Sequence, residues 1–101
     1  MVIEWLNVAV QADLREQYVQ KDEEIWTPVL AQYPGFLGKE VWISPDDLSN
    51  VVLVIRWASL EEWQAIPQEV LDKTEARFQE AMGGETYRIT DSKRFQVRKY
   101  S

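Results

Sequence analysis

The sequence VVLVIRWASLEEWQAI, residues 51–66, joins an apolar strand to a helix and decides the fold. Its branched and aromatic residues favour a strand, and Ser59 followed by Glu62 is a capping box that begins a helix. Successive side chains of a strand point to opposite faces, and one face here would carry only Val51, Leu53, Ile55 and Trp57. The other face would carry two valines, and only Arg56 interrupts it. An antiparallel strand with one wet face alternates apolar and polar residues, so both faces of this strand must be covered.

The first half of the chain contains two more strand candidates, residues 2–11 and 36–44, which are rich in branched and aromatic side chains. Between them, Asp13 with Glu16 three residues later predicts a second capping box and a helix start. Pro28 lacks the backbone donor that a helix interior needs, so we expect a kink there or a new helix after Thr27.

The second half predicts further helices and two short strands. Pro67 is suited to the first turn of a helix, and Gly83-Gly84 is suited to ending it with a left-handed cap. Residues 86–90 and 95–100 are the last strand candidates, separated by a polar turn at 91–93. This order predicts an α+β, ferredoxin-like split βαβ domain over residues 1–101, an antiparallel sheet with helices on one face.

The helices of one chain can cover only one face of such a sheet. Strands one and two are also apolar on both faces, with Leu6, Val8 and Val10 opposite Ile3, Trp5 and Ala9, and with Leu37, Val41 and Ile43 opposite Phe36 and Trp42. The pattern therefore favours a homodimer in which Val52 and Val54 meet the partner. We expect residues 95–100 to lie against the partner's sheet edge. The alternative is a monomer whose apolar patch binds a ligand or another protein.

The composition excludes several kinds of chemistry. The 101 residues include no Cys and no His, which removes thiol nucleophiles, imidazole bases and the usual transition-metal ligands. No metal or cofactor is expected, because the acidic runs lack a calcium-loop spacing and no glycine-rich loop could hold a cofactor phosphate. The net charge of −6 disfavours nucleic acid and anionic membranes as partners. Without an apolar run of ~20 residues or a basic leader, a cytoplasmic protein is expected.

PGFLGKEVW at residues 34–42, followed by VVLVIRWASLEEWQAI, resembles the antibiotic biosynthesis monooxygenase superfamily. The resemblance implies a ferredoxin-like subunit in a dimeric α/β barrel. It also implies a small-molecule-binding protein, and one branch consists of cofactor-free oxygenases that form quinones from electron-rich aromatics. A haem-degrading branch uses an Asn, which Asn7 matches, but its Trp and His positions fall near Ile66 and Ala76, so haem degradation is not expected.

Three polar residues of the strands are candidates for catalysis. Asn7 has apolar neighbours on its face and could donate to developing negative charge, and Arg56 could stabilise an enolate. Glu40 could act as a base if burial raised its pKa. Alternatively, Asn7 only satisfies hydrogen bonds in the core, and Arg56 pairs with a carboxylate such as Glu4 or Glu40 across the sheet or the interface.

A pocket between helices and sheet would be lined by large apolar side chains, namely Trp5, Trp26, Trp63 and Phe78. With the family resemblance, the sequence favours a small-molecule-binding protein, which could act as a cofactor-independent monooxygenase on an aromatic or polyketide-like substrate. The alternative is a non-catalytic dimeric binding or interaction module. A cavity that contains a convergent polar group favours catalysis, and a cavity packed solid by tryptophans favours the second role.

Overall fold

The computed structural model describes residues 1–100, so Ser101, the last residue of the chain, lies outside the described part. The strands are β1 (Val2–Val10), β2 (Phe36–Ile43), β3 (Asn50–Trp57) and β4 (Tyr87–Gln96), and the α-helices are α1 (Arg15–Lys21), α2 (Thr27–Leu30), α3 (Leu60–Gln64) and α4 (Gln68–Ala81). The strands form one antiparallel sheet in the order β2-β3-β1-β4. This order confirms the α+β, ferredoxin-like prediction.

The two faces of the sheet have different surroundings, which we call the helix-side face and the open face. On the helix-side face, Leu53 pairs with Leu6 and Val51 with Val8, and these side chains pack with Phe78 and other residues of the helical layer. A second group on the same face has Ile55 and Trp57 in contact with residues of the helices. The opposite side chains of β3 lie on the open face, on which no helix of residues 1–100 packs, although Val54 there is only 3% exposed.

The helix boundaries confirm one predicted capping box and not the other. The Glu62 amide donates to Ser59 Oγ over 3.1 Å, and α3 begins there as expected. At the second position, Asp13 lies inside a 3₁₀ turn, Ala12–Leu14, and no side chain caps it. The backbone amide of Gln11 is instead tied to the Thr86 carbonyl at 3.1 Å, which brings the chain out of β1 in a different direction.

Proline and glycine act as predicted in the helical layer. Helix α1 runs into a π-helical turn, Asp22–Trp26, and α2 then starts at Thr27 with Pro28 in its first turn. Helix α4 ends before Gly83 and Gly84, whose φ angles of +76° and +106° are those of a left-handed cap. No helix in residues 1–100 combines the length and apolar character of a membrane span.

A bulge in β2 corrects the predicted faces of that strand. The register shifts between Phe36 and Gly38, and Gly38 accommodates the irregularity with a φ of +154°. Phe36 therefore packs edge-to-face on Trp57, at 5.8 Å between ring centroids, rather than sharing a face with Trp42. Leu37 is exposed as a result.

The C-terminal segment also differs from the prediction. The residues expected to form a turn at 91–93 belong to one continuous strand, β4, whose register shifts by a bulge opposite Asn7 and Val8. Phe95 pairs with Ile3 of the same chain, and the Val97 amide donates to the Met1 carbonyl at 2.9 Å. β4 ends at Gln96, so contact of the following residues with a partner stays a prediction.

Candidate functional site

A cavity of about 490 Å³ lies between the helical layer and the helix-side face of the sheet. Six aromatic side chains form much of its wall: Tyr18, Trp26, Trp57, Trp63, Phe78 and Tyr87. Three of them, Tyr18, Phe78 and Tyr87, contact one another edge-to-face at 5.1 to 5.5 Å between ring centroids. The volume and the apolar wall are typical of a pocket for a small organic molecule.

The π turn aligns the side chains that the first helical segment presents to the cavity. Tyr18, Asp22, Trp26 and Leu30 all line it, at a spacing of four residues. An α-helix turns by about 100° per residue, so side chains spaced by four residues would rotate around the helix axis by about 120° between Tyr18 and Leu30. A π turn holds roughly one extra residue, which reverses most of that rotation. The π turn therefore keeps all four side chains facing the cavity.

A buried ion pair joins this helical segment to the sheet. Lys39 of β2 places Nζ 2.7 Å from Oδ1 and 2.6 Å from Oδ2 of Asp22. The side chains of Lys39 and Asp22 are only 4% and 1% exposed. Despite the short distance, Oδ2 of Asp22 receives no well-directed hydrogen bond. Burial raises the pKa of Asp22, and the charge of Lys39 offsets part of that effect.

Glu4 is the carboxylate of the central strand that faces the cavity. It shares the helix-side face with Leu6 and lies opposite Ile55 of β3. Its Oε1 accepts a hydrogen bond of 3.3 Å from the indole nitrogen of Trp57. Burial raises the pKa of Glu4 above its ordinary value, and the Trp57 hydrogen bond and the charge of Lys39 offset that effect in part. A carboxyl group in such surroundings is a stronger base than an exposed one.

Further polar groups of the cavity come from α4 and β4, and Tyr18 of α1 adds a phenol. The Tyr87 hydroxyl donates to Oε1 of Glu75, and the Gln68 amide donates to Oδ1 of Asp72 at 2.9 Å. Burial is the main cause that raises the pKa of the Tyr18 and Tyr87 phenols, so both stay protonated and neutral at physiological pH.

The aromatic residues predicted from the sequence divide between the two faces. Trp26, Trp63 and Phe78 line the cavity. Trp5 pairs with Val54 on the open face, where the Lys93 ammonium lies 5.4 Å from the centroid of its ring. Trp5 therefore does not line the cavity.

The three predicted catalytic residues also lie on the open face. Asn7 donates to Thr90 Oγ1 at 2.7 Å and accepts from the Asn50 amide at 2.7 Å, so it belongs to a polar ladder across three strands. Arg56 donates to Glu40 over 2.8 Å. The Trp42 indole and this guanidinium lower the pKa of Glu40, which corrects the expectation that burial would raise it. The sheet separates all three side chains from the cavity.

The polar residues of the cavity were missed by reasoning from the sequence, although the pattern contained a signal for two of them. Glu4 alternates with Leu6 and Val8, and Lys39 alternates with Val41, so each is a charge within an apolar face. A charge in that position needs a buried partner. Glu75 had no comparable signal, because most charges of α4 are exposed to solvent.

Comparison with known proteins places the chain in a family. Residues 1–69 match the model of the family named antibiotic biosynthesis monooxygenase, and the chain belongs to this family. A search of curated proteins finds no match.

Solved structures share the fold at low sequence identity. The monooxygenase from the gene ActVA-Orf6 of Streptomyces coelicolor, in complex with nanaomycin D, superposes with a TM-score of 0.71 at 17% identity, over 99% of this chain and 89% of that one. SnoaB, a cofactor-independent oxygenase from Streptomyces nogalater, gives 0.68 at 14% identity, over 98% and 94%. Protein Atu4242 from Agrobacterium tumefaciens gives 0.70 at 14% identity, over 100% and 97%. At these identities the similarity shows the fold alone.

Proposed function

We propose that the protein is a cofactor-independent monooxygenase and that the cavity between helices and sheet holds its aromatic substrate. The observation that carries the proposal is Glu4, a carboxylate of raised pKa in the wall of a cavity to which aromatic and aliphatic side chains contribute most of the lining. A base inside an apolar pocket is what deprotonation of an electron-rich aromatic requires. Membership of the family and the small molecule bound by the Streptomyces coelicolor neighbour support this choice.

In the proposed reaction, Glu4 removes a proton from an activated methylene, or from a phenol whose anion places negative charge on a ring carbon that bears hydrogen. The anion gives one electron to dioxygen, and the carbon radical and superoxide combine to a peroxide anion at that carbon, which takes the proton back from Glu4. The hydroperoxide then loses the remaining hydrogen of that carbon together with hydroxide, as water, and leaves a carbonyl, so one atom of dioxygen enters the product and the other becomes water. The substrate supplies every electron, and no reductant is needed.

Lys39 has a supporting role in this proposal. It is the one cationic side chain among the described residues of the cavity wall, and its charge acts on Glu4. Asp22 holds its ammonium group in place, and from that position Lys39 would favour the ionised form of Glu4 that acts as the base.

The experiment is oxygen consumption with anthrone, whose central methylene is activated, by the native chain and by the Glu4→Gln variant. Gln keeps an oxygen that can accept from Trp57 but cannot take up a proton, so we expect a loss of about 10²-fold or more in kcat with substrate affinity retained. Glu69→Gln is the control, because Glu69 is exposed and pairs only with Lys73.

The proposal fails if the native chain consumes no oxygen with anthrone or any electron-rich phenol, or if the Glu4 variant is as active as the control. A chain that binds these compounds without oxygen uptake would instead be the non-catalytic binding module.

We further propose that the open face pairs with the open face of a second copy. Large apolar side chains are exposed there, among them Trp42 at 47% and Phe95 at 52%. The same face carries both signs of charge in Glu40 and Arg56, so it can complement itself across a two-fold axis. In this arrangement Asn7, Arg56 and Glu40 are interface residues.

A further inference from the structure

The charges around the cavity are not balanced. Its wall contains four carboxylates, Glu4, Asp22, Asp72 and Glu75, but only one ammonium, that of Lys39. Lys39 and Asp22 neutralise each other as a buried pair. In the described part of the chain, the remaining three carboxylates accept side-chain hydrogen bonds only from the neutral donors Trp57, Gln68 and Tyr87. An anionic ligand would therefore be repelled, and a cationic one attracted.

The aromatic wall points to the same kind of ligand. Tryptophan and tyrosine rings line the same cavity as the carboxylates, and aromatic rings attract ammonium groups through their quadrupole. Among residues 1–100, no three acidic side chains converge closely enough to hold a metal ion. Carboxylates that are spread around an aromatic-lined cavity suit an organic cation that is large enough to reach several of them.

We propose that the cavity selects an aromatic ligand that carries a protonated amine, such as a phenol with an aminoalkyl chain. The inference rests on the proposed function only in taking the same cavity as the substrate site. It also removes a difficulty of that function, because a carboxylate-rich wall opposes the negative charge that develops on a deprotonated substrate. An ammonium group on the substrate would compensate that charge from within the ligand.

Three phenols that differ at one end test the proposal by calorimetry on the full-length chain: tyramine, 4-ethylphenol and 4-hydroxyphenylacetate, which are cationic, neutral and anionic at pH 7. We expect tyramine to bind about tenfold more tightly than 4-ethylphenol, and 4-hydroxyphenylacetate to bind most weakly. Equal affinities, the reverse order or no binding of any of the three would overturn the proposal.

A variant of α4 locates the effect in the cavity. Glu75→Gln removes one charge but keeps an acceptor for the Tyr87 hydroxyl, and we expect it to reduce the tyramine preference at least threefold while 4-ethylphenol affinity stays unchanged. The matched control is Glu69→Gln on the exposed side of the same helix. If Glu75→Gln binds tyramine over 4-ethylphenol as strongly as the native chain does, Glu75 does not contribute to selection of the cation.

Failure of this inference and failure of the proposed function are distinguishable. Oxygen uptake with a neutral phenol, together with equal affinities for tyramine and 4-ethylphenol, would support the oxygenase and refute the cationic ligand class. A preference for tyramine without any oxygen uptake would support the cationic ligand class and refute the oxygenase.

Discussion

Glu4 and Lys39 show which structural features of a single residue can be predicted from the sequence. Each lies in a strand on a face that is otherwise apolar, so the sequence locates both on the helix-side face. Their partners come from distant parts of the chain, Trp57 for Glu4 and Asp22 for Lys39. Alternation along a strand contains no information on which residue of a helix will lie above it. The face was therefore predictable and the pairing was not.

The pKa of Glu4 makes stability depend on pH. Burial raises this pKa above the ordinary value of 4.5, so at pH values between the unfolded and the folded pKa the folded chain holds a proton that the unfolded chain has released. The contribution of Glu4 to stability is then greatest at low pH and is lost as pH rises through the folded pKa. We predict that Glu4→Gln increases the free energy of unfolding by about 1 kcal/mol at pH 7 and leaves it nearly unchanged at pH 4. Urea denaturation at the two pH values measures this, and an equal change at both would contradict it.

The Lys39–Asp22 pair allows a test of coupling. Lys39→Met leaves the buried Asp22 carboxylate without its cation, and we predict a loss of about 3 kcal/mol in the free energy of unfolding. Adding Asp22→Leu to that variant should recover most of the loss, because two apolar side chains then fill the same space. Urea denaturation of both single variants and the double variant gives the interaction energy. Additive losses would show that the two side chains are not coupled.

At the scale of elements, local motifs were reliable where nothing distant competed with them. The Ser59 capping box formed, because α3 follows directly from the end of β3. The Asp13 box did not form, because the hydrogen bond between Gln11 and Thr86 directs the chain after β1. The bulges in β2 and β4 could not be predicted from the sequence either, since a bulge depends on the register of the neighbouring strand.

The π turn leads to a prediction about deletions in helices. Removing Glu23, an exposed residue of this turn, should convert it to regular α-helix and keep Tyr18, Trp26 and Leu30 on one face. Removing Ala76, an exposed residue of α4, should rotate Phe78 and Met82 by about 100° away from the core. We predict a shift in Tm of only a few degrees for the first deletion and loss of the folded state for the second. Circular dichroism melting curves compare them, and an unfolded Glu23 deletion would refute this account of the turn.

At the scale of the whole molecule, the open face determines assembly. The native chain should sediment as a dimer at micromolar concentration, and Val52→Asp should give monomer or aggregate because a charge would be buried without a partner. Leu48→Asp is the control, since Leu48 is an exposed apolar residue outside the strands. Analytical ultracentrifugation distinguishes the species. A native monomer, or a Val52 variant that stays dimeric, would exclude the pairing.

Residues of one chain line the cavity, and the sheet lies between it and the open face. If two chains pair through their open faces, the two cavities lie on the outside of the assembly and share no residue. Ligand binding at one site then leaves the affinity of the other site unchanged, so saturation should follow a simple hyperbola with a Hill coefficient of about one. Each dimer would act as two independent catalysts, and a mixed dimer with one inactive subunit would retain half the turnover.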